Sequence, residues 1–254
     1  MIADPWFYAL AVPAMMIAGI SKGGFGGGVV VLAVPLMSLT VPPQQAAAVM
    51  LPILMVMDLL ALWVYRDSFD RGHLRILLPA AAVGVGGGWA GFGFLDAAVI
   101  RLVLGVIAIG FTLDYWFQFR PRQSPAGPNR ILGGFWAVVS GFTSFMAHAG
   151  GPPLNVYLLP QGLEKRLFVG TVAMFFMVVN WMKLVPYALL GQFHTGNLTT
   201  SLALAPLAPA GIWLGVWLQS RVSDRIFYGV CYGLLLVTGL KLGYDGVLGV
   251  FAGL

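Results

Sequence analysis

Ten apolar runs partition this chain. Six of them, at 44–65, 76–95, 98–119, 167–190, 198–219 and 226–247, approach the length of about 20 residues that crosses the hydrocarbon core of a bilayer. The other four are shorter, at 6–20, 29–40, 131–147 and 152–160, and fall into two pairs. A glycine-rich break joins each pair: Gly23 to Gly28 in the first, His148 to Pro153 in the second. Such a chain folds as an all-α polytopic membrane protein with the lipid bilayer as its solvent. Composition excludes the soluble alternative. Only 9% of residues are charged and 59% are hydrophobic, against about 25% charged in an ordinary soluble domain. No stretch is long enough to form a separate soluble domain.

The net charge of +5 would suggest nucleic acid in a soluble protein, but here the basic residues sit in short gaps between apolar runs. They read as topology signals, and no nucleic-acid partner is expected. One cysteine, Cys231, excludes a disulfide framework and a cysteine-rich metal cluster; neither metal nor cofactor is expected. The opening MIADPWFYAL lacks a basic region and a small-residue cleavage site, so it does not read as a cleaved signal peptide.

Short cytoplasmic loops collect lysine and arginine. Arg66, Arg71 and Arg75 mark one such loop, and Arg120, Arg122 and Arg130 mark the central one. Lys165 and Arg166 mark a third, Arg221 and Arg225 a fourth, whereas GQFHTGN at 191–197 has neither residue type. These loops all fall on one side, with the bare loop opposite, only if the second broken pair returns to the side it left. The pair is then a re-entrant hairpin or two short spans, and both termini are expected outside the cytoplasm.

The halves also match in order. GISKGGFGG at 19 lies over GFTSFMAHA at 141, which sets Asp58 on Asn180. SFDRGHL at 68 lies over QFHTGNL at 192, with Phe69/Phe193, Gly72/Gly196 and Leu74/Leu198 in register, and Gly105 lies over Gly233. The first of these loops is basic and the second bare, so the copies sit on opposite faces of the membrane. We expect two inverted-topology repeats, each a glycine-broken helix pair followed by three transmembrane helices. Residues 1–120 form the first, 121–130 a cytoplasmic linker and 131–254 the second, together one transport domain. Inverted repeats with matching breaks point to a secondary transporter with a midplane site.

A helix broken inside a bilayer frees backbone groups, which is tolerable only where protein or water lines the break. Freed N–H groups at a half-helix start favour an anion, and glycines admit a ligand close to the backbone. Lys22, with Gly23, Gly24, Gly26 and Gly27, forms the candidate site at the first break; His148, Gly150 and Gly151 form its counterpart at the second. Ser21, Thr143, Ser144, Asn155 and Asn180 are candidate donors to ligand oxygens. Asp58 and His148 are candidates for carrying a coupling proton or ion. The structural alternatives are a snorkelling Lys22, glycines that serve helix packing, as Gly84, Gly86, Gly87 and Gly88 do, a buried hydrogen-bonded His148, hydroxyls bonded to their own helices, and Asp58 and Asn180 as hydrogen-bond glue. Lys183 reads either as a helix-end snorkeller or as a second cation in the pathway. Trp6, Trp63 and Trp89 fit interfacial belts.

These same residues resemble the sulfite exporter TauE/SafE family, also called TSUP. The resemblance rests on GISKGGFGGGVVVLAVPLM with the following VPPQQAAAVMLPILMVMDL, on GFTSFMAHAGGPPLNVYLLPQGLEKRLFVGTVAMFFMVVN, and on the paired Phe-x-x-Gly-x-Leu loops. It covers nearly the whole chain. It implies a permease of the bacterial inner membrane for small sulfur-containing anions such as sulfite, thiosulfate, sulfoacetate and other organosulfonates, without a regulatory domain. A passive anion channel and a cation transporter using Asp58 are the alternatives. An intramembrane enzyme built on His148 and Asp58 lacks an H-E-x-x-H pair and a nucleophile motif, so no enzymatic activity is expected. A homodimer is compatible with the sequence, which carries no specific interface signal.

Overall fold

The protein, as a computed structural model, is described over residues 1–24, 27–92, 96–117, 128–218 and 221–252. Gly26, Arg120, Arg122 and most of the linker at 121–130 lie outside the described residues. Every regular element among them is helical. The first half holds α1 (Pro5–Gly24), a 3-10 turn (Val30–Leu32), α2 (Ala33–Met37), α3 (Pro43–Tyr65), α4 (Arg71–Phe92) and α5 (Ala97–Phe117). The second holds α6 (Arg130–Ala147), α7 (Gly151–Leu158), a 3-10 turn (Leu159–Gln161), α8 (Lys165–Leu189), α9 (Thr195–Leu204), α10 (Leu207–Leu218) and α11 (Asp224–Ala252). Eight stretches are long and apolar enough to cross a membrane: α1, α3, α4, α5, α6, α8, α9 with α10, and α11.

The boundaries depart from the apolar runs in two instructive places. Helix α1 continues through Lys22 to Gly24 instead of stopping near residue 20. It does so because its glycine face lies backbone to backbone on α10: a Cβ on Gly19 would fall 2.8 Å from Gly211 Cα, and one on Gly23 would strike the Ile212 carbonyl. Tertiary contact outweighs the cost of about 1 kcal/mol for each helical glycine. The broken pairs are therefore unequal. Helices α1 and α6 have 20 and 18 residues, while α2 and α7 have only 5 and 8. The second departure is at 198–219, where the single apolar run is split into α9 and α10. Pro206 has no N–H to continue the ladder and disfavours helix at Ala205, and the chain restarts with Ala208 N–H on the Ala205 carbonyl (3.0 Å).

Four pairings build the molecule: α3 along α8, α5 along α11, α4 on α6 and α1 on α10. Hydrogen bonds give the directions. At one end, Gln45 Nε2 donates to Asn197 Oδ1 (3.0 Å) and Ile2 N–H to Thr200 Oγ1 (3.0 Å), so the starts of α1, α3 and α9 lie together. At the other end of α3, Asp70 N–H donates to Thr171 Oγ1 (2.9 Å), and His73 Nε2 lies 3.4 Å from Gln161 Oε1. Gly133, near the start of α6, sits against the Tyr157 ring near the end of α7. Each broken pair thus ends beside the level at which it began. The outward face is apolar, with Trp6, Trp63, Trp213 and Ile131 exposed, as suits lipid. Of the α4 glycines, Gly84 and Gly88 pack on α6, whereas Gly86 and Gly87 face open space.

Candidate functional site

The two breaks come together at the α3–α8 pair. Lys22 stands in the last turn of α1, where a cation complements the negative end of the helix dipole. Its ammonium pairs with Asp58 Oδ1 of α3, and the other carboxylate oxygen accepts from Asn180 Nδ2 of α8 (2.5 Å). Asp58 is 1% exposed and the Lys22 side chain 11%. Both carboxylate oxygens are therefore committed. Asn180 Oδ1, also buried, has no partner among the described residues.

Opposite this pair, α6 ends at His148, which adopts a left-handed conformation (φ 51°) that is uncommon outside glycine. Its N–H reaches the Ser144 carbonyl (3.0 Å) and the Ala149 N–H reaches that of Thr143 (3.1 Å), closing the helix end. The imidazole Nε2 lies 2.9 Å from the Ala47 carbonyl of α3. A carbonyl only accepts, so Nε2 carries the hydrogen and Nδ1 presents a lone pair. Lys183 of α8 donates to that lone pair (2.8 Å), to the Ser144 carbonyl (3.1 Å) and to Ser144 Oγ (3.1 Å). Lys183 is 0% exposed, so it does not snorkel. Of its two readings from sequence the buried cation is the one that holds, and its spacing of three residues from Asn180 places both on one helix face.

A cavity opens between these groups. Lys22, Gly27, Asp58, Ser144, His148, Gly151 and Asn180 line it, with apolar walls from Val30, Leu54, Val172 and Phe176. The other sequence candidates lie around it. Ser21 is fully buried and its Oγ accepts from Val29 N–H (3.2 Å), while its carbonyl accepts from Gly27 N–H (2.8 Å). Gly23 packs on Ile212, and Gly24 closes α1. Thr143 Oγ1 donates within its own break, to the carbonyls of Val139 (2.8 Å) and Ala149 (3.2 Å). Gly150 is wedged against Ser140 and Phe176, and Asn155 stands by Gly28 with Oδ1 buried and unpartnered.

Pro152 and Pro153 carry no N–H. The first turn of α7 therefore offers only the Gly150 and Gly151 amides, fewer than the four of an ordinary helix start. At the first break, Ser21 already takes the Gly27 and Val29 amides. The charged side chains in the cavity wall are Lys22 and Asp58, with Lys183 sealed behind it.

The family model described as sulfite exporter TauE/SafE matches residues 11–242. No curated protein and no solved structure matches the chain.

Proposed function

The chain belongs to the sulfite exporter TauE/SafE family of membrane transporters, and we propose that it carries small sulfur-containing anions, sulfite or organosulfonates, through the cavity between its two breaks. The Lys22 ammonium in the cavity wall carries this reading, because the one carboxylate there, Asp58, already has both oxygens engaged by Lys22 and Asn180. A cation using Asp58 would have to displace both Lys22 and Asn180 from it. Lys22 is the direct electrostatic contact, Gly151 lets the anion reach the backbone, and Asp58 holds the Lys22 ammonium in place when no anion is there. Asp58 and His148, the coupling candidates, stand on the same wall.

The two halves act as inverted repeats that rock about this site, giving alternating access in a bacterial inner membrane with both termini outside the cytoplasm. The helix pairings support this, because exchanging the halves turns α4 on α6 into α9–α10 on α1 and returns α3–α8 and α5–α11 to themselves. So does the Asp58–Asn180 bond, which joins the two positions that the repeat superposes.

The test is thermal stabilisation of the purified protein by sulfite, thiosulfate, sulfoacetate, methanesulfonate, short carboxylates and a set of cations. A ligand at 100 times its Kd raises stability by about 2.7 kcal/mol. A selective shift with sulfur oxyanions is expected; a shift with cations alone would overturn the reading. Counterflow in proteoliposomes then distinguishes a carrier from a passive channel.

A further inference from the structure

Lys183 is sealed behind the cavity wall, and the groups that enclose it can be named element by element. Ser144 and His148 come from the end of α6, Asp58 from α3 and Lys22 from α1; on α8 itself, Asn180 lies one turn before it and Tyr187, whose hydroxyl donates to the Phe145 carbonyl (2.8 Å), one turn after. Among the described residues no carboxylate touches Lys183, because Asp58 is held by Lys22 and Asn180. A buried ammonium without a counter-charge is costly. An anion in the adjoining cavity supplies that counter-charge.

The hydrogen-bond inventory links the two events. As an ammonium, Lys183 gives its three hydrogens to the Ser144 carbonyl, Ser144 Oγ and His148 Nδ1. Ser144 Oγ is then an acceptor, and its own hydrogen has no protein acceptor among the described residues. Ser144 lines the cavity, so that hydrogen is available to an anion. As a neutral amine, Lys183 has two hydrogens and one lone pair. His148 Nδ1 and the Ser144 carbonyl keep the two hydrogens, and the Ser144 hydroxyl turns to donate to the lone pair. The cavity then loses a charge and a donor together.

Resting on the anion reading above, we propose that Lys183 is the proton site of the transporter: neutral in the empty cavity, it takes one proton from water as a monoanion enters, and the Ser144 hydroxyl hydrogen turns from Lys183 to the anion. Proton and anion cancel in charge, so the loaded cavity carries the same net charge as the empty one. Lys183 acts through Ser144 and is a positioning residue.

The experiment is calorimetric titration of the purified full-length protein with methanesulfonate, in buffers of different ionisation heat and across the neutral to alkaline range. A sulfonate stays a monoanion there, so any proton taken up is on the protein. Uptake should approach one proton per anion, with affinity falling by about tenfold per pH unit on the alkaline side, as reciprocal linkage requires. Asp58→Asn, which releases Lys22 and alters the affinity, should still take up about one proton per anion bound. Lys183→Met should bind weakly, with no proton uptake and no pH slope. Should that variant fail to fold, Ser144→Ala keeps the test open: the fold is retained, but affinity and uptake both fall. Binding without uptake in the unmodified protein, or uptake that vanishes in Asp58→Asn, overturns the proposal and leaves anion transport standing. If neither methanesulfonate nor any other anion binds, the transport reading fails and takes this one with it.

Discussion

The two breaks are built from different materials. The first carries its own cation, Lys22, on the helix that breaks, and ties off its loose amides with Ser21. The second ends on a histidine in a left-handed turn, removes amides with two prolines, and borrows its cation from a different helix, Lys183 of α8. The alignment places Lys22 over Ser144, and in the fold Ser144 is the residue to which Lys183 is bonded. What each half retains is a lysine amine beside the break, not the position that supplies it. Lys22 meets the cavity directly and is paired with Asp58; Lys183 is hidden and, among the described residues, touches no carboxylate.

The sharpest break in that comparison is Asp58→Ala. It leaves Lys22 without its counter-charge and should cost about 3–5 kcal/mol of stability, the usual penalty for orphaning one member of a buried pair, measurable as lost denaturant resistance. Lys183 has no carboxylate contact, so its hydrogen bonds should survive that change.

Next come the glycines of the second break. A side chain on Gly150 would lie 2.7 Å from the Ser140 carbonyl and 2.9 Å from the Phe176 ring, so Gly150→Val should destabilise by about 1–3 kcal/mol. Gly151 has only ordinary contacts, the nearest being 3.5 Å from the Gly27 carbonyl. Gly151→Val should insert and fold yet lose transport, because the new side chain occupies the cavity. Equal loss of folded protein in both variants would reduce the second break to a packing device.

Lys22→Ala should weaken sulfur-anion binding by about 10- to 100-fold, the scale of one charge-assisted hydrogen bond, read as a reduced thermal shift. An unchanged shift would hand the whole attraction to Lys183.

The smallest effect lies in the paired loops. Burial pushes the Asp70 carboxyl up, but the hydrogen bonds and charge of His73 together outweigh it and hold the group below its usual value. A depressed carboxylate contributes stability that is present above its unfolded value and lost as pH falls through its folded one. Asp70→Asn should therefore flatten the acid limb of the stability curve slightly. The matching loop before α9 carries His194 in place of Asp70.

Much of this was legible in the residues themselves. Period and length of the apolar runs specify the helices, and the glycine clusters specify the breaks, because both depend on local chemistry. The superposition of Asp58 on Asn180 placed two residues together that the fold joins by a hydrogen bond. For Lys183 the sequence left two readings open, a helix-end snorkeller or a second cation in the pathway, and only its burial decides against the first. Its partners Ser144 and His148 lie 39 and 35 residues away, and a lone lysine near the end of a span looks the same whether it points to headgroups or inward. The continuation of α1 through Gly23 depends on Ile212 in α10, a contact that no local propensity contains. That Ser21 accepts from the Val29 and Gly27 amides depends on the path of residues 27–29, which the sequence does not contain.

The two prolines that open α7 have a consequence for turnover. A carrier must release what it holds, and a nest of amides wrapped around an anion would make a deep well that empties slowly. By deleting two donors, Pro152 and Pro153 leave the second break a shallower well than an ordinary helix start would make.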